Sequence, residues 1–151
     1  MKRVWIYQAD RILTDQEKSE IQISLDEFAK SWKVHGSPLQ ANASVVDNLF
    51  IVLAVDEDYA SASGCSIDSS VRFLKGIEQK YNLSLFDRMQ VAYKLNNELQ
   101  VASRPVFEEL VKTGVITDDT IVYDNTLTSE DELSAKWAIP FKDSWHKRVF
   151  G

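Results

Sequence analysis

Apolar side chains recur along the chain with two different periods, and these divide it into helices and strands. Val4-Trp5-Ile6-Tyr7 is a short run of β-branched and aromatic residues and predicts a first strand. Thr14-Asp15-Gln16-Glu17 sets a threonine three residues before a glutamate that can reach back to the threonine amide, which marks a helix start. Ile21, Leu25, Phe28 and Trp32 then recur at intervals of four, three and four, a stripe that faces a core until His35-Gly36-Ser37-Pro38 stops the helix. Residues 39–46 and 49–55 flank Asp47-Asn48, two residue types that tolerate positive φ, so they predict a tight antiparallel hairpin. The second of these strands is apolar on both faces and is expected to be central. Residues 60–70 read Ala-Ser-Ala-Ser-Gly-Cys-Ser-Ile-Asp-Ser-Ser, a loop of small side chains. Beyond it Ile67, Val71, Leu74, Ile77 or Glu78, and Tyr81 mark a second helix, with Ser66 as its expected cap and Asp68 in its positive first turn.

The second half opens with Met89, Val91 and Tyr93 alternating with polar residues, a turn at Asn96-Asn97, and Leu99 and Val101 on the return strand. Ser103 caps a short helix bearing Phe107, Leu110 and Val111, and Gly114 stands where a left-handed helix stop is expected. Ile121-Val122-Tyr123 predicts a short strand. Thr128-Ser129-Glu130-Asp131 begins a final helix that carries Leu133 and Trp137 and is closed by Pro140. The predicted class is α+β: an N-terminal β-α-β-β-α unit in residues 1–87, packed with a C-terminal β-hairpin, helix and short strand in residues 88–151 as one compact body.

Composition adds limits. With 44% hydrophobic and 26% charged residues the chain resembles an average globular protein, so folding throughout is expected. A chain of 151 residues buries about two-thirds of its unfolded surface and needs no disulfide or metal to hold it. A net charge of -6 with scattered lysines and arginines argues against a nucleic-acid partner, whose phosphates call for a clustered basic face. One cysteine cannot form an internal disulfide, and Met1-Lys2-Arg3 precedes only a brief apolar stretch before Asp10, so a reducing cytoplasm is the expected location. The longest apolar run, residues 49–55, falls far short of the roughly 18 residues of a membrane span, and no membrane insertion is expected.

The candidate chemistry gathers at residues 56–70. A thiol at a helix N-terminus, as at Cys65, meets unpaired amides that favour thiolate, and His35 is a candidate base for it. Ser63, Gly64, Cys65, Ser66 and Asp68 together outline a possible small-anion site on those amides, although Asp68 opposes a highly charged ligand. Free cysteine is also among the most buried residue types, and an unreactive packing role for Cys65 is the favoured alternative. Asp56, Glu57 and Asp58 end an apolar strand in the manner of a Walker B segment, and their oxygens are weak candidates for a metal site. No glycine begins the phosphate-binding pattern that nucleotide hydrolysis also requires, and any buried strand that emerges into a turn produces the same string, so neither a metal nor a cofactor is expected. Tyr123, Trp137 and Trp145 are candidate anchors for a protein or peptide partner; the alternative is that Trp137, Trp145 and His146 pack the C-terminal tail onto the body. No complete catalytic constellation is present. The favoured expectation is therefore a non-catalytic interaction module, ahead of a thiol-dependent enzyme or small-ligand protein centred on Cys65, and ahead of an ATPase.

Four strings carry a resemblance: Arg3-Val4-Trp5-Ile6-Tyr7-Gln8-Ala9, Trp32-Lys33-Val34-His35-Gly36, Ala54-Val55-Asp56-Glu57-Asp58 and Ser63-Gly64-Cys65-Ser66-Ile67-Asp68-Ser69-Ser70. Through them the chain resembles short bacterial proteins that bear the label ABC transporter ATPase, and the label implies nucleotide hydrolysis. Residues 90–145 are loosely similar to the GYF-2 type of small domain. The likeness rests on the hairpin, on Val106-Phe107-Glu108-Glu109-Leu110-Val111-Lys112-Thr113-Gly114-Val115-Ile116, on Asp119-Thr120-Ile121-Val122-Tyr123 and on Trp137. It implies binding of proline-rich or extended peptides. Ser103-Arg104-Pro105 replaces the usual Gly-Pro entry to the helix, and the distance to Trp137 is longer than that type has.

Overall fold

Strand β1 (Lys2–Gln8) opens the computed structural model, which describes residues 1–151. Helix α1 (Asp15–Ser31) starts where expected: Thr14 Oγ1 accepts from the Glu17 amide and the Glu17 carboxylate accepts from the Thr14 amide. The helix ends at Ser31, short of the predicted stop at His35, and the residues up to Pro38 form two short strands, β2 (Lys33–Val34) and β3 (Ser37–Pro38), joined by a turn with His35 and Gly36 at φ of 49° and 81°. Strands β4 (Ala41–Val46) and β5 (Phe50–Asp56) form the predicted hairpin, and Asp47 and Asn48 hold φ of 54° and 53° as a primed turn demands. Helix α2 (Gly64–Tyr81) begins earlier than the sequence indicates. Ser63 is its cap, its Oγ accepting from the Ser66 amide, which frees Ser66 to lie buried on the helix and donate its hydroxyl to the Lys33 carbonyl at 2.8 Å.

The C-terminal half contributes β6 (Gln90–Leu95), β7 (Glu98–Ser103), α3 (Arg104–Lys112) and β8 (Ile121–Tyr123). Asn96 and Asn97, at φ of 51° and 64°, turn the β6–β7 hairpin, and Gly114 at φ 81° follows the end of α3. Beyond these, α4 (Glu130–Lys136) is one turn shorter than predicted. Trp137 closes it, and the residues up to Pro140 form strand β9 (Ala138–Pro140), an edge position where proline forfeits no ladder bond. A 3₁₀ turn over Phe141–Asp143 and helix α5 (Trp145–Phe150) complete the chain.

The architecture is α+β, built on two antiparallel sheets of order β1-β5-β4 and β7-β6-β8-β9 and a two-stranded β2-β3 ladder. In the first sheet every β5 residue up to Val55 is buried, because both faces are covered. One face, bearing Trp5, Tyr7, Ile51 and Leu53, meets α1 and α2; Trp5 packs edge-on to Trp32 at 5.7 Å. The opposite face, bearing Val4, Ile6, Gln8, Phe50 and Val52, meets the C-terminal half, where Phe50 touches Tyr123 and Trp137 at 5.0 and 4.7 Å between ring centroids. Ala92, Tyr123 and Leu127 thus belong to the same core as Ile21, Leu25 and Leu53. A smaller core around Phe107, Val122 and Phe141 lies within the C-terminal half. The halves meet where β1 ends, and that seam positions the site.

Candidate functional site

The residues singled out by sequence lie in several separate places. Cys65 is exposed in the first turn of α2, and no hydrogen bond joins it to His35, which is itself exposed at the tip of the β2–β3 turn and bonds none of the α1 carbonyls. Of the neighbouring set, Ser63 is committed to capping, Ser66 is buried with its hydroxyl on β2, and Gly64 and Asp68 are exposed. A packing role for Cys65 is therefore not what the fold provides. Its exposure follows from the early start of α2, which turns Ser66, Ser70, Leu74 and Ile77 inward and leaves Cys65 on the outer face. Asp56, Glu57 and Asp58 do not converge into a group able to hold a metal ion; Asp56 accepts from the Asp58 amide, and Asp58 pairs with the Met1 ammonium at 2.7 Å. No surface anchor forms at Tyr123, which is 4% exposed because Phe50 and Trp137 cover its ring. Trp137 is half-buried and donates its indole N–H to Asn125 Oδ1 at 2.9 Å. Trp145 is half-buried at the start of α5.

Trp145 and Tyr123 instead help to line a cavity of about 120 Å³ at the seam between the halves. Its walls come from the end of β1 (Ile6, Tyr7, Gln8), the segment before and into β6 (residues 85–88 and 90–92), Arg104 at the start of α3, and Trp145 and His146 of α5. Each wall has a local cause. Gln8 is the polar last residue of β1, directly after the apolar run Val4-Trp5-Ile6-Tyr7. Its neighbour Tyr7 stands edge-on to Phe86 at 5.3 Å. Arg104 is the first residue of α3, directly after the β7 strand, and its guanidinium lies over the Trp145 ring at 5.5 Å. The Trp145 ring in turn stacks on His146 at 3.8 Å.

Four buried side-chain polar atoms have no protein partner: Gln8 Nε2, Arg104 Nε, Trp145 Nε1 and His146 Nδ1. All four belong to residues that line this one cavity. Gln8 and His146 are only 7% and 2% exposed, so their free atoms are oriented by the packing around them. Burial pushes the His146 imidazolium down to about 4, with Asp124 opposing and Arg104 reinforcing the shift, so the ring is neutral at pH 7. Burial likewise raises the Tyr7 phenol, against the pull of Arg88 and a hydrogen bond from Ser70. The cavity wall therefore carries the buried Nε–H of half-buried Arg104, a second guanidinium on exposed Arg88, neutral polar groups and aromatic rings.

Nothing in the sequence links Gln8, Arg88, Arg104 and His146 to one another, and they were not legible as a site. One local signal exists: Arg104 is a cation at the positive N-terminal end of a helix, where a side chain of that charge is disfavoured unless something else holds it there. Comparison with protein-family models, with curated proteins and with solved structures gives no match.

Proposed function

We propose that this chain is a non-catalytic binding module whose ligand occupies the seam cavity. One observation carries the reading: the four residues whose buried polar atoms have no protein partner all line a single cavity. Each such group left unmet disfavours the folded state by about 1–3 kcal/mol, against a total stability of only about 5–15 kcal/mol, so these atoms must be met by solvent or by a ligand. A cluster of unmet polar groups of this kind, beside aromatic walls, is what a small-molecule site consists of. Binding without turnover fits the surroundings, where no nucleophile is paired with a base and the one imidazole is held neutral beside tryptophan.

The resemblance to the proteins labelled ABC transporter ATPase points instead to nucleotide hydrolysis, but the absent phosphate-binding loop and the separated Asp56, Glu57 and Asp58 favour binding alone. The GYF-2-like likeness agrees with an interaction role, and Tyr123 and Trp145 enter the cavity reading as its walls. A cytoplasmic location is part of the proposal, supported by the unpaired Cys65 and by the absence of a helix long and apolar enough to cross a membrane.

The test is a titration of ¹⁵N-labelled protein with neutral, cationic and anionic fragments, read at the Trp145 indole N–H and assigned with Trp145→Phe. At least one class is expected to move that signal while leaving Trp32 in place, whose indole is already bonded to the Ser66 carbonyl at 2.8 Å. A Trp145 signal that no fragment moves would leave the cavity to solvent and end this reading.

A further inference from the structure

The free donors also define the chemistry of what they would bind. Gln8 Nε2, Arg104 Nε and Trp145 Nε1 can only donate, so their partner must supply several acceptors. The orientation of Gln8 is set by a chain of bonds that begins at an indole. Trp137 Nε1 can only donate and does so to Asn125 Oδ1 at 2.9 Å; the Asn125 amide nitrogen donates to Gln8 Oε1 at 2.8 Å; the Gln8 NH₂, on a residue of the cavity wall, is thereby the group left without a protein partner.

The charge is equally one-sided. No carboxylate forms an ion pair with Arg104 or with Arg88 at the rim. The nearby acids are engaged elsewhere. Asp87 accepts from the Met89 amide at 2.8 Å and the Gln90 side chain at 3.3 Å, and Asp124 accepts from the Thr126 amide at 3.0 Å and from its hydroxyl. A half-buried guanidinium whose Nε–H has no protein partner favours a planar anion that can accept from its fork. Asp87 in the wall and Asp124 beside His146 oppose a second negative charge, which separates a monoanion from a phosphate dianion. A volume near 120 Å³ is a little below that of a cavity known to hold a benzene-sized molecule, so the fit is to roughly six non-hydrogen atoms. Phe86, Val91 and Ala92 give the remainder of the ligand apolar surface.

We propose that the cavity binds a small monocarboxylate, its carboxylate held by Gln8, Arg104 and Trp145 and its short apolar body set against Phe86 and Val91. The inference rests on the binding-module reading above and deepens it. Both a free small acid and a polypeptide C-terminus carry this group; walls drawn from β1, α3 and α5 around so small a space favour the free acid.

The experiment follows the Trp145 indole N–H while the native chain is titrated with butyrate, with butyramide as its neutral isostere, with inorganic phosphate and with acetyl-Gly-Gly-Ala. Butyrate is expected to shift the signal saturably, butyramide to bind at least tenfold more weakly, and Arg104→Gln to weaken butyrate by tenfold or more. Comparing ligands on the native chain keeps the test decisive even where that variant folds poorly. Equal binding of butyramide, or tighter binding of phosphate, overturns the carboxylate assignment while leaving the cavity as the site. Tighter binding by the peptide assigns the carboxylate to a polypeptide and overturns the small acid. If neutral or cationic fragments move the signal and none of these four does, the ligand class alone falls; if nothing of any charge does, the binding reading falls with it.

Discussion

His146 is a titratable side chain almost wholly removed from water. It is enclosed by Trp145 and Phe107, and its pKa lies near 4 against an ordinary value of 6.5. Between those two values the unfolded chain takes up a proton that the folded chain refuses, so stability falls as the pH drops through that window and the loss is complete near pH 4. The full effect is on the order of 3 kcal/mol, from about 2.5 pH units at 1.36 kcal/mol each. Denaturant unfolding between pH 7 and pH 4 should show this slope in the native chain and a shallower one in His146→Phe, which keeps the ring and removes the proton. Equal slopes would mean that other groups govern acid sensitivity. Gln8 follows from the same reasoning. Gln8→Leu removes an orphan donor, but it also leaves the Asn125 amide without its acceptor, so the melting temperature should change little while ligand binding is lost.

Caps and turns carry most of what is local in this fold. Thr14 closes a reciprocal box with Glu17, and Glu17 is additionally clamped by both terminal nitrogens of Arg11 at 2.8 Å, which holds its carboxyl down near 2. Thr14→Ala should destabilise the protein by about 1 kcal/mol in equilibrium unfolding. The two hairpins provide a controlled comparison. Asn48 and Asn97 hold the same left-handed conformation, which disfavours alanine by about 1 kcal/mol or more at each. Asn48 also donates to the Leu13 carbonyl at 3.2 Å and to Asp15 at 2.9 Å, tying the β4–β5 turn to the start of α1. Asn48→Ala is therefore expected to be the more damaging, by about 1 kcal/mol, and equal losses would show that those bonds contribute nothing net.

The molecule as a whole is held by a core that both halves share. Phe50 packs against Tyr123 and Trp137, the Val4 amide donates to the Thr128 carbonyl at 2.9 Å, and Arg3 bridges to Ser129 beside the free edge of β1. Separating the halves would expose the face of the first sheet that carries Val4, Ile6, Phe50 and Val52. The full chain should therefore unfold in one calorimetric transition whose van't Hoff and calorimetric enthalpies agree, and a fragment of residues 1–87 should show no cooperative melt. Two separate transitions would make the halves independent domains. The seam cavity exists only while this core is closed, so a ligand bound there should raise the melting temperature of the whole molecule.

Much of this architecture was written locally. The Thr14–Glu17 box, the Asp47-Asn48 and Asn96-Asn97 turns and the apolar strand ending at Val55 depend on neighbours a few residues away, and chain periodicity and positive-φ preferences suffice to define them. Shorter elements needed tertiary partners. Strand β9 exists because β8 offers it an edge, and α2 starts at Gly64 because Ser66 is drawn inward to the Lys33 carbonyl. The cavity is the extreme case. Gln8 ends an N-terminal strand, Arg104 begins a helix after the second hairpin, and Trp145 and His146 lie near the C-terminus, so no spacing or motif links them. Periodicity reports which side chains turn inward; only the folded contacts decide which inward polar atoms are left without a partner and which residues meet around one space.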